Sequence, residues 1–194
     1  QKMPDILLHL LPHVVSSLLY GALGMHFWHT RWRETDRPLV TLPMQPWERA
    51  AILAALVVQG IGLYQGLFSA GGMRFSFSFA LSLMLWLAVL IYWLESFHAR
   101  MDGLQPMVLP LAAISALAPA LFPQLRVVAN AGAWGFQLHF LTAMLAYSLF
   151  TLSALHAVFM GFAERKLHQR AVTKSLTSLP PILTMEALLF RMIL

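Results

Sequence analysis

Runs of about 20 or more mostly apolar residues recur along this chain, and no other feature narrows its folding so sharply. The first extends from about Met3 to His29, the second from about Ala50 to Phe68, and the third from about Phe75 to Phe97. A fourth covers about Leu104 to Phe122, a fifth about Ala133 to Phe162, and a sixth starts near Ile182 and stops at Leu194. A helix of about 20 residues crosses the roughly 30 Å hydrocarbon layer of a bilayer. No water there serves the backbone, so spanning segments are helices or closed barrels. Barrel strands would alternate in polarity over about 10 residues, and these runs do not. The expected fold is all-α: a polytopic transmembrane helix bundle with five full spans and the start of a sixth, forming one domain over residues 1–194.

Composition agrees. Hydrophobic residues make up 59% and charged residues 11%, against about 25% charged in soluble domains. So little charge cannot cover a water-facing surface. The net charge of +5 sits in short loops, which argues for topology rather than nucleic-acid binding. The segments after the first, third and fifth runs hold nine basic residues (Arg31, Arg33, Arg37, Arg49, Arg100, Arg165, Lys166, Arg170 and Lys174). The other side holds three, Lys2, Arg74 and Arg126. The positive-inside rule places loops 1, 3 and 5 in the cytoplasm and the N-terminus outside. In the fourth run, Pro106, Pro110 and Pro119 predict a bent or locally opened helix. The small residues from Ala131 to Gly135 allow close approach at the start of the fifth.

Several chemistries are excluded. With no cysteine there is no disulfide, no thiolate metal site and no covalent haem attachment. H-E-x-x-H, P-loop and G-x-G-x-x-G motifs are absent, as is the G-x-S-x-G elbow. Lysines occur at positions 2, 166 and 174 only, so none lies inside a span to form a Schiff base. Glu95 and Glu186 are read as the carboxylates near helical depth, too few for a proton relay. These features favour a binding protein over an enzyme.

Histidine carries the functional signal. His9, His13, His26, His29, His139 and His156 fall in or beside apolar runs, where ionisable groups usually face a bundle interior or a cavity. A neutral imidazole is also a good ligand for haem iron or a divalent metal. His9 and His13 are four apart and share a helix face, in the outer part of the first span, and His139 lies at a similar outer depth in the fifth. His156 is 17 residues further on, roughly 25 Å along a helix, so it cannot share one iron with His139. The structural readings stand beside these. His29, next to Trp28 and Arg31, reads as an interfacial anchor, His156 as a hydrogen bond between helices, and His168 as a solvated residue of a basic loop.

The stretch Trp134–Met160 (WGFQLHFLTAMLAYSLFTLSALHAVFM) resembles the helix of the cytochrome c assembly membrane proteins that carries a tryptophan, then a histidine, then a tyrosine eight residues after the histidine. That family includes the CcsA/ResC-like haem-delivery proteins and the smaller YpjD/HemX inner-membrane branch. The segment Leu179–Ile193 resembles the stretch after the basic loop in the YpjD branch, and Ser78–Glu95 is compatible with it. The resemblance implies that His139 is an axial ligand to haem iron at the outer face, with Trp134 and Tyr147 near the porphyrin. A haem site there needs a partner ligand such as His9 or His13, or one from beyond these residues, and His156 is a haem-binding candidate only at a separate site. The tryptophan-rich haem-presenting segment of the delivery proteins is not among these residues, and Gln59 stands where many YpjD-like members carry a histidine. Against eight-span relatives, the chain stops within its sixth span.

The resulting expectation is a bacterial inner-membrane protein that holds non-covalent haem b for cytochrome c assembly or haem supply. Its expected partners are the bilayer, haem and other cytochrome-maturation membrane proteins, and no nucleic acid. Two alternatives stay open: a b-type electron-transfer cytochrome, for which His13 and His26 have the spacing on one helix, and a structural or transport bundle without cofactor.

Overall fold

The computed structural model describes residues 3–33, 44–69, 72–98, 103–122, 126–127 and 133–177. The chain divides into two compact units, 1–156 and 157–194.

The first unit is built on α1 (Met3–Phe27), α2 (Pro46–Leu67), α3 (Phe77–Glu95) and α4 (Gln105–Leu121). Local chemistry sets several boundaries. Pro46 opens α2 at a position where its missing N–H costs nothing. Glu48, two residues later, turns back so that Oε2 accepts from the Gln45 N–H at 2.8 Å, one half of a capping box. Ser76 caps α3, its Oγ accepting from Phe79 N–H at 3.4 Å. α1 does not stop at Phe27 but widens into a π-helical turn, Trp28–Arg33.

α1 packs on α2 and α4, and α3 packs on the same two helices. Cross-links between helix ends show which connections share a side. The Trp32 indole donates to Gly103 O at 3.3 Å, joining the end of α1 to the start of α4. Arg49 donates to Ser96 O at 2.9 Å, joining the start of α2 to the end of α3. At the opposite end, Ser78 Oγ donates to Phe122 O at 2.8 Å. There β1 (Phe68–Ser69), β2 (Gly72–Phe75) and β3 (Arg126–Val127) form a small antiparallel ladder in the order β1-β2-β3. Phe68 lies opposite Met73, and Arg74 opposite Val127. The four helices thus run alternately up and down.

Two glycines one turn apart on α2 let its neighbours come close. A Cβ on Gly62 would lie 3.0 Å from Pro12 Cβ and 3.1 Å from His13 Cε1, and one on Gly66 would collide with the Phe79 ring. Such small-x-x-x-small spacing brings membrane helices into backbone contact. The core around them includes Tyr20, Ile52, Ala88, Val89, Val108 and Ala112, each fully buried.

α5 (Trp134–Thr177) meets this bundle through a buried serine. Ser148 Oγ donates to Met84 O at 2.9 Å, and Thr151 Oγ1 approaches Met84 Sδ at 3.9 Å. Otherwise its apolar stretch is open: 6% of its most apolar window is buried, against 33%, 39% and 50% for α1, α2 and α3. In the second unit the described chain is helical from Ala157 to Thr177, with Glu164 and Arg165 exposed.

Among the described residues, four helical stretches are long and apolar enough to cross a membrane: His9–Trp32, Pro46–Leu67, Phe77–Glu95 and Trp134–Phe162. Against the expectation of five full spans, these four stand beside one shorter apolar helix. The fourth run forms a helix of 17 residues, shorter than a typical span, whose buried face (Val108, Leu109, Ala112, Ala116) is covered by protein. One correction concerns the basic segment after Phe162, read from sequence as a loop. It is helix as far as Thr177, because it is rich in Ala, Glu, Lys, Arg and Gln, which favour helix, and holds neither Gly nor Pro. The sixth run, Ile182–Leu194 with Glu186, lies outside the described residues, as do Arg37 and Arg100.

Candidate functional site

The α5 histidine face comes first. Trp134 is 78% exposed and Tyr147 57%, and His139 and His156 are exposed as well. Among the described residues no hydrogen bond or ion pair engages the His139 ring. Phe136 and Phe140 stack beside it at 6.4 Å between centroids. Thr142 and Thr151, which could have offered hydroxyls to a ligand, instead donate to the carbonyls of Leu138 and Tyr147 one turn back. The helix therefore exposes one imidazole, with Tyr147 about 80° and Trp134 about 140° round the axis from it.

His13 lies in a different environment. It is 4% exposed, its ring set edge-on against Phe79 of α3 at 5.7 Å. It is backed by Gly62 of α2 and lies beside the Ala116 backbone of α4. Three helices close on it, which leaves no space for a porphyrin at this ring. His9, one turn earlier, is exposed. Among the described residues, no group of three or more His, Asp or Glu side chains gathers as a metal would need. The fit to haem is thus confined to His139 as one exposed imidazole ligand on an apolar, aromatic face.

A row of polar side chains runs past His13 through the interior. Ser16 and Tyr20 are fully buried on the same face of α1, and Gln59 and Ser82 are fully buried on α2 and α3. Gln59 Nε2 donates to Ser82 Oγ at 3.0 Å and lies 3.3 Å from Ser82 O. Ser16 Oγ donates to His13 O at 3.1 Å.

The third feature closes one end of the bundle. Glu48 is 3% exposed, and all four of its partners are close. His26 Nε2 is 3.0 Å from Oε1 and Arg31 NH1 is 3.3 Å from it. Arg31 NH2 is 3.1 Å from Oε2, which also accepts from Gln45 N–H. The π turn explains how His26 and Arg31 both arrive. Five residues in an α-helix stand about 140° apart, whereas a turn that bonds i to i+5 sets them nearly one above the other. Arg31 also lies over the Phe27 ring at 4.5 Å, and Trp47 packs edge-on against His26 at 4.9 Å.

Glu48 lies within a candidate span, as does Glu95, and was missed in the sequence; of the two, Glu48 is buried and Glu95 exposed. Arg31 and Arg49, counted among loop charges, sit within helical segments and are bonded to the bundle. A signal for Glu48 existed in Gln45-Pro46-Trp47-Glu48, where proline at the first helical position and glutamate at the third mark a helix start. Comparison of the chain with family models, with curated proteins and with solved structures returned no match.

Proposed function

We propose that this chain is a haem-binding protein of the bacterial inner membrane that handles haem for cytochrome c assembly or haem supply, without catalysing a reaction itself. The observation that carries the reading is His139, an imidazole left exposed and unengaged on an apolar helix whose sequence resembles the haem-ligating helix of the cytochrome c assembly proteins. An unpaired polar group facing hydrocarbon is costly, and iron ligation is one way to satisfy it. In this reading His139 donates a ring nitrogen to the iron, while Trp134 and Tyr147 offer flat apolar surface to the macrocycle. Bound haem would supply a coordinating iron centre, and the helix would supply its attachment and shielding. With the N-terminus outside and loops 1, 3 and 5 in the cytoplasm, His139 faces the outer side.

The b-type cytochrome is less well supported, because the Nε2 of His26 is taken by Glu48. The cofactor-free bundle draws support from the same pair and from the packing of His13, which give those two histidines structural work. One experiment separates these readings: an absorbance spectrum of protein purified in detergent from haem-replete cells, wild type beside His139→Ala. The haem reading expects a Soret band that the substitution weakens or abolishes. Wild-type protein that is colourless, and stays so on titration with haemin, would establish the cofactor-free bundle. A low-spin spectrum untouched by His139→Ala would move the iron elsewhere.

A further inference from the structure

Three polar atoms in the interior row have no protein partner among the described residues: His13 Nδ1, Gln59 Oε1 and the Tyr20 hydroxyl. Their residues are 4%, 0% and 0% exposed. The packing puts them in line. His13 Nδ1 lies 3.4 Å from where a Gly62 Cβ would be, so the ring edge is turned to α2. α1 and α2 are antiparallel neighbours, so one turn on from His13 along α1, at Ser16, is level with one turn back from Gly62 along α2, at Gln59. Tyr20 follows one turn beyond. The three open atoms therefore mark a seam along α1 and α2 about 10 Å long, seven residues of helix rise.

The chemistry of these atoms restricts what can satisfy them. Gln59 Oε1 needs a donor. The Tyr20 hydroxyl has a proton to give, and His13 Nδ1 gives or accepts according to its tautomer. An ion would suit one of these and offend another, and an apolar guest would satisfy none. A neutral molecule that both donates and accepts suits all three, and buried polar atoms without protein partners are ordinarily served by bound water. We propose that the seam between His13, Gln59 and Tyr20 is a hydration site, holding a short row of ordered water molecules inside the helix bundle. The row ends where the side chains of α1 become apolar again, at Leu23 and Phe27, both buried. It does not depend on haem at His139.

The test is hydroxyl-radical labelling by X-ray radiolysis of the full chain in lipid nanodiscs, read by mass spectrometry. Radicals form from water itself, so a buried ring is labelled when water lies against it. Tyr20 and Phe27 are both fully buried on the same helix. After correction for intrinsic reactivity, the proposal expects Tyr20 to be labelled several-fold faster than Phe27. Equal slow labelling of the two rings would overturn it. Tyr20→Phe supplies a second readout that does not rely on labelling. If the hydroxyl is bound to water, removing it lowers the melting temperature; if it is buried dry, removing an unsatisfied group raises it, and a rise would overturn the proposal.

Discussion

Glu48 shows how much one side chain can decide in a chain with so little charge. Its carboxylate lies between a guanidinium held at two points, an imidazole and a backbone N–H, and its side chain and that of Arg31 are 4% and 8% exposed. Removing one member of a buried ion pair leaves the other charged and unpaired, at a cost of about 3–5 kcal/mol, whereas replacing both with apolar residues is far better tolerated. Glu48→Gln is accordingly expected to destabilise the bundle by about 3 kcal/mol in detergent unfolding. Glu48→Met combined with Arg31→Met is expected to cost less than Glu48→Met alone. A double substitution whose cost equals the sum of the singles would show that the pair is not coupled. Gly62 is the opposite case, a residue whose value is its lack of a side chain. Gly62→Ala drives a methyl against Pro12 and His13, and overpacking of this kind costs about 1–3 kcal/mol. A lowered melting temperature is the expected outcome. Gly21, with open space around its Cβ position, serves as the control and should tolerate alanine.

Among the elements, the π turn and α5 departed most from what pattern alone suggests. Hydrophobic periodicity carries α1 to about His29 but says nothing of a widened turn, because π geometry is selected by what it permits: Arg31 and His26 reaching Glu48 together. α5 reads correctly as an apolar helix from its first turn. Its end was misplaced because charge marks where a helix leaves the hydrocarbon, not where it stops being helical. Its attachment rests on Ser148 against the backbone of Met84. The absence of native cysteine makes this contact directly testable. A disulfide needs Cα atoms roughly 4.4–6.8 Å apart, and a serine hydroxyl 2.9 Å from a carbonyl oxygen is compatible with such proximity. Met84→Cys paired with Ser148→Cys should therefore oxidise to an intramolecular disulfide, visible as altered gel mobility that reductant reverses. Phe150→Cys in place of Ser148→Cys, at an exposed position on α5, should not.

At the level of the whole molecule, the cross-links at helix ends bear on topology. Trp32 with Gly103 and Arg49 with Ser96 put the connections after α1 and α3 at one end, and the β ladder lies at the other. Loop charge predicts that the first end is cytoplasmic. Single cysteines at Phe97 and at Gly72 should then respond oppositely to a membrane-impermeant maleimide applied to intact spheroplasts. Gly72→Cys is expected to react, and Phe97→Cys only after lysis. The reverse pattern would invert the topology and move His139 to the cytoplasmic side.

The sequence by itself determined that this chain is helical and suited to a bilayer. About 20 apolar residues in succession admit few other structures, and that property is additive along the chain. It also marked His139, because an imidazole in an apolar run is conspicuous without any knowledge of its neighbours. Only the tertiary structure decided which polar residues are buried together. His13 and His139 look alike in sequence, yet one is enclosed by three neighbouring helices and the other is exposed. Glu48 resembled a loop residue until α1 brought Arg31 and His26 to it, and Gln59 resembled a missing ligand until Ser82 took one end of its amide. Pairing of this kind depends on distances between segments far apart in the chain, which local pattern does not encode.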